Sequence, residues 1–192
     1  MEVEVKSREI IKPSIPTLIH LRYMQLSFFD QINYQLLVLF IYFYTTTTNF
    51  QRSQRLKKSL VETLIKFYPF AGRLKEDDLY VDCNDQGVDY FETHVKCKLI
   101  DLVKQQDYHE FNKLLLYCKL TDCDAGNLTL VIQLNFFDCG GIAIGACFSH
   151  KIADTLSFFI FFNSWTVASR GDTIINCPCF DLACCAIIPC EG

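Results

Sequence analysis

Hydrophobic residues follow two different periods along this chain. Residues 2–12 alternate polar and apolar side chains, which predicts a strand that Pro13 ends. Residues 52–68 repeat apolar side chains on one face of a helix, and we expect Pro69 to stop that helix. The residues of this predicted face are Leu56, Leu60, Val61, Leu64, Ile65 and Tyr68.

Shorter apolar segments predict the remaining elements. Five further strands are expected over residues 36–44, 79–83, 88–93, 128–137 and 142–149. The continuously apolar segment 36–44 is typical of a buried strand. The last two strands are separated by Asp138-Cys139-Gly140-Gly141, a short connection that favours a hairpin. Helices are expected over 105–118 and, mostly buried, over 155–169. The pattern predicts a mixed α/β fold with antiparallel pairing.

Length, charge and composition narrow the class of protein. A chain of 192 residues has the usual length of one domain, and its content of 51% hydrophobic residues argues against disorder. The net charge of −4, without a basic tract, gives no reason to expect nucleic acid or an anionic membrane surface as a partner. The most apolar run, residues 36–44, is too short to span a bilayer, and the N-terminus carries no secretory pattern. We therefore expect a cytoplasmic protein.

The cysteines are numerous but do not suggest a metal site. The chain has 11 cysteines, and those at its end are Cys177, Cys179, Cys184, Cys185 and Cys190. Their C-x-C and C-C spacings, without a nearby histidine, differ from zinc-binding patterns. We expect free thiols and no bound metal.

The segment Ser149-His150-Lys151-Ile152-Ala153-Asp154 is the strongest candidate for chemistry, because it joins a predicted strand to a predicted helix. A neutral imidazole there could take a proton from a hydroxyl or amine that attacks a carbonyl. On spacing alone, the simpler interpretation is structural. In it, His150 caps or packs, and Asp154 stabilises the N-terminus of the following helix.

Several ordered motifs together resemble the BAHD acyltransferases of plants, which move acyl groups from coenzyme A thioesters to alcohols and amines. The resemblance covers about residues 10–183. It rests on LSFFD at 26–30, FYPFAGRL at 67–74, VDCND at 81–85, CGGIAIG at 139–145, SHKIAD at 149–154, RGD at 170–172 and PCFDL at 178–182. It implies a chloramphenicol-acetyltransferase-like α/β fold of two domains, of which this chain carries the first, a mixed sheet with flanking helices.

The resemblance also implies roles for individual residues. His150 would be the general base in a channel between the domains, and acyl-CoA, with acetyl-CoA favoured, would be a co-substrate rather than a bound cofactor. Asp154 would hold the loop in shape by pairing with an arginine, whereas the logic of a catalytic triad would have it orient His150. Asp30 would help to shape the channel. Gly140 and Gly141 are candidates for the channel or its loops, although a turn explains them better than a phosphate cradle. The acceptor would be a small alcohol or amine, and full-length members would be monomers.

Two departures from the family qualify this prediction. Thr155 stands where the family usually has glycine after the aspartate, and the chain is less than half the usual length. We expect residues 1–183 to form the first acyltransferase domain and residues 184–192 to be a divergent cysteine-rich tail. The second domain, most coenzyme A contacts and the arginine partner of Asp154 would then be missing. The alternative function is a catalytically inactive fragment that binds another chain.

Overall fold

The structure is a computed structural model, and it describes residues 1–32, 36–45, 50–75, 80–115, 127–173 and 180. The cysteine-rich tail predicted at 184–192 lies outside these described residues. The described residues contain eight strands: β1 (Val3–Ile11), β2 (Tyr23–Gln25), β3 (Leu37–Tyr44), β4 (Arg73–Leu74), β5 (Tyr80–Asp82), β6 (Val88–Val95), β7 (Leu130–Phe137) and β8 (Ile142–Ser149). The helices are α1 (Phe28–Ile32), α2 (Phe50–Lys66), α3 (Leu99–Gln105), α4 (Tyr108–Phe111) and α5 (Thr155–Ser169). Three 3₁₀ turns cover Ile19–Leu21, Tyr68–Ala71 and Asn112–Leu115.

The strands form two sheets. The larger has the order β1-β6-β7-β8-β3, and the smaller has the order β2-β5-β4. Strands β6 and β7 run parallel, while the other neighbours in the large sheet are antiparallel, so the sheet is mixed as the family resemblance implies. A parallel pair needs a long crossover, and the chain between β6 and β7 supplies one that includes α3 and α4. The mixed α/β class is confirmed.

Helices cover both faces of the large sheet. Alternate residues of β8, including Ile142, Ile144 and Phe148, point toward α2 and α5 and belong to the main hydrophobic core. On the other face, Ala143 packs with Leu99 of α3 in a second apolar cluster. The period of two along the strands therefore produces a three-layer arrangement of helix, sheet and helix.

A buried polar cluster fixes the second helical layer to the sheet. The Asn135 side chain accepts hydrogen bonds from Thr93 Oγ1 and Gln133 Nε2, each at 2.7 Å. Its amide nitrogen donates to the carbonyl oxygens of Leu114 and Ala143, both at 3.2 Å. Because every polar group in this cluster has a partner, it holds the Asn112–Leu115 turn against β7 and β8 without leaving an unsatisfied amide.

Three predictions differ from the structure in instructive ways. Segment 36–44 is a strand, but it lies at the edge of the sheet and is only half buried. The helix predicted over 105–118 begins earlier, at Leu99, and is interrupted at Gln106, which has a left-handed backbone with φ 49°. Helix α2 ends at Lys66, and Pro69 lies inside the following 3₁₀ turn rather than at the helix end. No helix within the described ranges is long and apolar enough to cross a membrane.

Candidate active site

His150 follows directly after β8, and backbone hydrogen bonds hold it in place. Its N–H donates to the Leu36 carbonyl oxygen at 2.9 Å, while the Ser149 N–H donates to the Thr129 carbonyl oxygen at 3.2 Å. The Ile152 N–H closes the turn on the Ser149 carbonyl oxygen at 3.1 Å. The His150 side chain is half buried. The imidazole is therefore carried by a turn with a fixed backbone at the rim of the sheet, and its side chain is partly exposed to solvent.

Asp154 is the N-cap residue of α5. Its Oδ1 accepts a hydrogen bond from the Ser157 N–H at 2.7 Å, and the Phe158 N–H donates to its carbonyl oxygen at 3.0 Å. Hydrogen bonds from the side chain and backbone of Ser157 lower the pKa of Asp154, with a further contribution from the nearby His150. No hydrogen bond joins Asp154 to the His150 ring, both of which belong to the described part of the chain. This geometry is that of a helix cap rather than of a triad.

Asp30 caps a helix as well. The Ser27 N–H donates to Asp30 Oδ2 at 3.3 Å, and the Asp30 N–H donates back to Ser27 Oγ at 3.2 Å. This reciprocal pair is the capping-box arrangement at the start of α1, with Ser27 as the N-cap and Asp30 in the place of the usual Glu or Gln. The Ser27 hydroxyl also donates to Asp30 Oδ2 at 2.5 Å. The Gln31 side chain adds a hydrogen bond to the Leu26 carbonyl oxygen at 2.8 Å. The role of Asp30 that the structure makes visible is to shape this loop.

The two capping aspartates meet at one cavity of about 310 Å³ beside the His150 turn. It is lined by Met24, Gln25, Leu26, Asp30, Lys151, Ile152, Ala153, Asp154, Ser157 and Phe180. Sequence reasoning passed over Lys151, which is only 4% exposed although it carries a charge. The signal available in the sequence was the position of Lys151 next to His150. A lysine that is buried needs compensating contacts. Asp30, Asp154 and the buried Lys151 are therefore among the residues that line a small cavity next to the candidate base.

Gly140 and Gly141 lie elsewhere. They form the turn between β7 and β8, where Gly140 has φ 81° and its N–H donates to the Phe137 carbonyl oxygen at 2.9 Å. A Cβ on Gly141 would lie 2.9 Å from Leu99 Cδ2, so the Leu99 side chain would have to shift to admit a larger residue there. The eight residues of β8, at about 3.3 Å each, place roughly 26 Å between this turn and His150. The structure thus does not bring the glycine pair and His150 together.

No group of three or more His, Cys, Asp or Glu side chains that could hold a metal ion occurs in the described ranges. The described cysteines Cys83, Cys97, Cys139 and Cys147 are free thiols. Burial raises the pKa of the Cys83 thiol to about 12, so that it remains protonated and packs as a small apolar group.

Comparison with known proteins places the chain in a family. The model of the Transferase family matches residues 1–189. A limonoid 21-O-acetyltransferase from Melia azedarach is 40% identical over 185 residues, which cover 95% of this chain and 44% of the relative. Vinorine synthase from Rauvolfia serpentina is 39% identical over 193 residues, with coverages of 95% and 45%. The chain spans a little under half the length of these relatives.

Solved structures agree with this assignment. The crystal structure of vinorine synthase superimposes with a TM-score of 0.84 at 37% identity and covers 100% of this chain and 48% of that one. The structure of F. graminearum TRI101 with coenzyme A and T-2 mycotoxin superimposes with a TM-score of 0.64, and the match covers 78% of this chain and 40% of the TRI101 chain. Because the two sequences are only 13% identical, this similarity supports the fold alone. The predicted acyltransferase fold, with a mixed sheet and flanking helices, is confirmed. This chain is therefore a member of the Transferase family, the BAHD acyltransferases that its motifs resemble.

Proposed function

We propose that this chain carries the base-bearing domain of an acyltransferase, which moves an acetyl group from acetyl-CoA to a hydroxyl or amine of a plant secondary metabolite. Family membership supports the reaction class. The names of the similar proteins, among them stemmadenine O-acetyltransferase from Catharanthus roseus, favour an acetyl donor and a hydroxyl acceptor. The observation that carries the proposal is His150, a half-buried imidazole on a turn with a fixed backbone beside a cavity.

In this mechanism His150 is the catalytic base. Its neutral ring accepts the proton of the acceptor hydroxyl as the oxygen attacks the thioester carbonyl carbon. The tetrahedral oxyanion then collapses, the C–S bond breaks, and the protonated ring returns the proton to the departing thiolate. The backbone hydrogen bond from His150 to Leu36 fixes the main chain that carries the ring.

Asp154 acts on structure in this proposal. Its carboxylate is occupied by Ser157 at the start of α5, so it fixes where the helix begins and how the His150 turn enters it.

A second candidate function is a non-catalytic domain that binds another chain. One observation favours it: apolar side chains lie exposed around the same turn, including Leu36, Leu39, Leu156 and Phe159. Exposed apolar clusters of this kind are typical of interaction surfaces. The two candidate functions differ in whether the purified chain converts acetyl-CoA and an acceptor into an acetylated product.

The experiment incubates the purified chain with acetyl-CoA and a panel of small alcohols and amines, and it measures acetylated products by mass spectrometry. Any product formed by the wild-type chain should fall by about 10²–10⁴-fold in His150→Ala. Asp154→Ser is the matched control, because serine retains the helix cap and should leave turnover within a few fold. A His150→Ala variant with near-normal turnover would overturn the assignment of the base. Absence of product with every acceptor would overturn the catalytic proposal in favour of the binding domain.

A further inference from the structure

A second cavity, of about 450 Å³, lies between the large sheet and helices α2 and α5. Its sheet wall includes Tyr44 and Ile142, which pair at the end of β8 opposite to His150. The length of β8 separates this cavity from the acyl-transfer site proposed above, so the inference that follows does not rest on that function.

The walls of this cavity are aromatic and held in place. Phe162 stacks on Tyr42 with a centroid distance of 3.9 Å and an interplanar angle of 10°. The Trp165 indole packs edge-on against Phe162 at 5.6 Å, and its Nε1 donates to the Leu56 carbonyl oxygen at 3.0 Å. Because these rings are fixed by stacking and by a backbone hydrogen bond, the apolar part of the cavity is formed before any ligand arrives.

The rim is positively charged. Arg52 and Arg55 reach it from α2, Arg170 reaches it from the end of α5, and no Asp or Glu side chain is among the described residues that line it. An adjoining cavity of about 380 Å³ shares Arg55 and Arg170 and adds Lys58, against one acid, Glu62. Arg170 also contacts Asp172 through its Nε at 3.4 Å, in an exposed ion pair that contributes little.

This concentration of positive charge contrasts with the chain as a whole, whose net charge is −4. Arg52, Arg55 and Lys58 are spaced by three residues and so share one side of α2. Guanidinium groups bind carboxylates through paired hydrogen bonds, and flat apolar walls select a planar body. The volume lies within the range of small-molecule sites.

We propose that this cavity binds a small aromatic carboxylate, with the ring between Tyr44, Phe162 and Trp165 and the carboxylate at Arg55 and Arg170. The site is distinct from the His150 turn and would bind a ligand that is not consumed there.

Trp165 makes the proposal directly measurable, because it is the single tryptophan of the chain and it lines the cavity. The probe is 4-bromobenzoate, whose bromine quenches tryptophan fluorescence at contact, and the matched neutral compound is 4-bromobenzamide. We expect saturable quenching by the acid and at least about tenfold weaker binding of the amide, since the charge-assisted hydrogen bonds are lost. Equal binding of the two compounds, or no saturable quenching by the acid, would overturn the proposal.

Two arginine variants test whether Arg55 and Arg170 bind the carboxylate of the ligand. Arg55→Gln and Arg170→Gln should each weaken 4-bromobenzoate binding several-fold and leave 4-bromobenzamide unchanged. The control is Lys104→Gln on α3, an exposed cation on the opposite face of the sheet, which should have no effect. Circular dichroism checks that each variant is folded, and the comparison of acid with amide on the wild-type chain needs no variant. Arginine variants that bind the acid as tightly as the wild type would also contradict the site.

Discussion

Replacing Asp154 separates a helix cap from a catalytic aspartate. In Asp154→Ala, α5 loses the hydrogen bond from the Ser157 N–H, worth about 1 kcal/mol, and a negative charge at the helix N-terminus, worth about 0.5 kcal/mol. The free energy of unfolding should therefore fall by about 1.5 kcal/mol. For a chain of this length, that corresponds to a Tm lower by about 3–6 °C. Asp154→Ser retains the cap bond and loses only the charge, so its Tm should fall by about 1–2 °C.

The pH dependence tests the same contribution in a second way. Hydrogen bonds from Ser157 lower the pKa of Asp154 in the folded chain below its ordinary value of 3.8. The stabilisation is therefore complete above the unfolded-state pKa and is lost as the pH falls through the folded-state pKa. Thermal unfolding followed by circular dichroism should show the full difference between wild type and Asp154→Ala at pH 7, and a difference that shrinks steadily as the pH is lowered below 3.8. Equal Tm values at pH 7, or a Ser variant as unstable as the Ala variant, would refute the cap argument.

Two other changes follow from packing. Gly145→Ala should lower the free energy of unfolding in urea by about 1–3 kcal/mol, because its Cβ would lie 2.5 Å from the Leu114 carbonyl oxygen. The control is Gly171→Ala. A Cβ at Gly171 would meet no atom within 4 Å, but the residue has φ 88°, so this variant measures only the backbone cost of about 1 kcal/mol. The steric argument would be contradicted if Gly145→Ala were at least as stable as Gly171→Ala. Leu39→Lys should reduce self-association of the chain, because Leu39 is 43% exposed on an edge strand that carries no charge. The measurement is size-exclusion chromatography with light scattering under reducing conditions. Ile100→Lys on α3 is the matched control, and equal effects of the two changes would show that the edge of the sheet is not the cause.

Local sequence patterns predicted most of the elements correctly. Helix α2 with its apolar face, strand β1 and the hairpin of β7 and β8 all appear near the expected residues, because helical and strand periods depend on near neighbours. Asp154 at the start of α5 was also visible, since a carboxylate before an apolar helical run is a capping signal. His150 was found because the strand before it and the helix after it were both predictable.

Long-range packing decided the rest. Nothing within residues 36–44 distinguishes a central strand from an edge strand, and only the order of the sheet places β3 at its edge. Asp30 and Asp154 are 124 positions apart in sequence, yet tertiary packing places both of them on one cavity. Gly140 and His150 are close in sequence but lie at opposite ends of β8, because an extended strand separates its ends by about 3.3 Å per residue. The arginine-rimmed cavity likewise exists only because α2 and α5 pack together over the sheet, which no local period encodes.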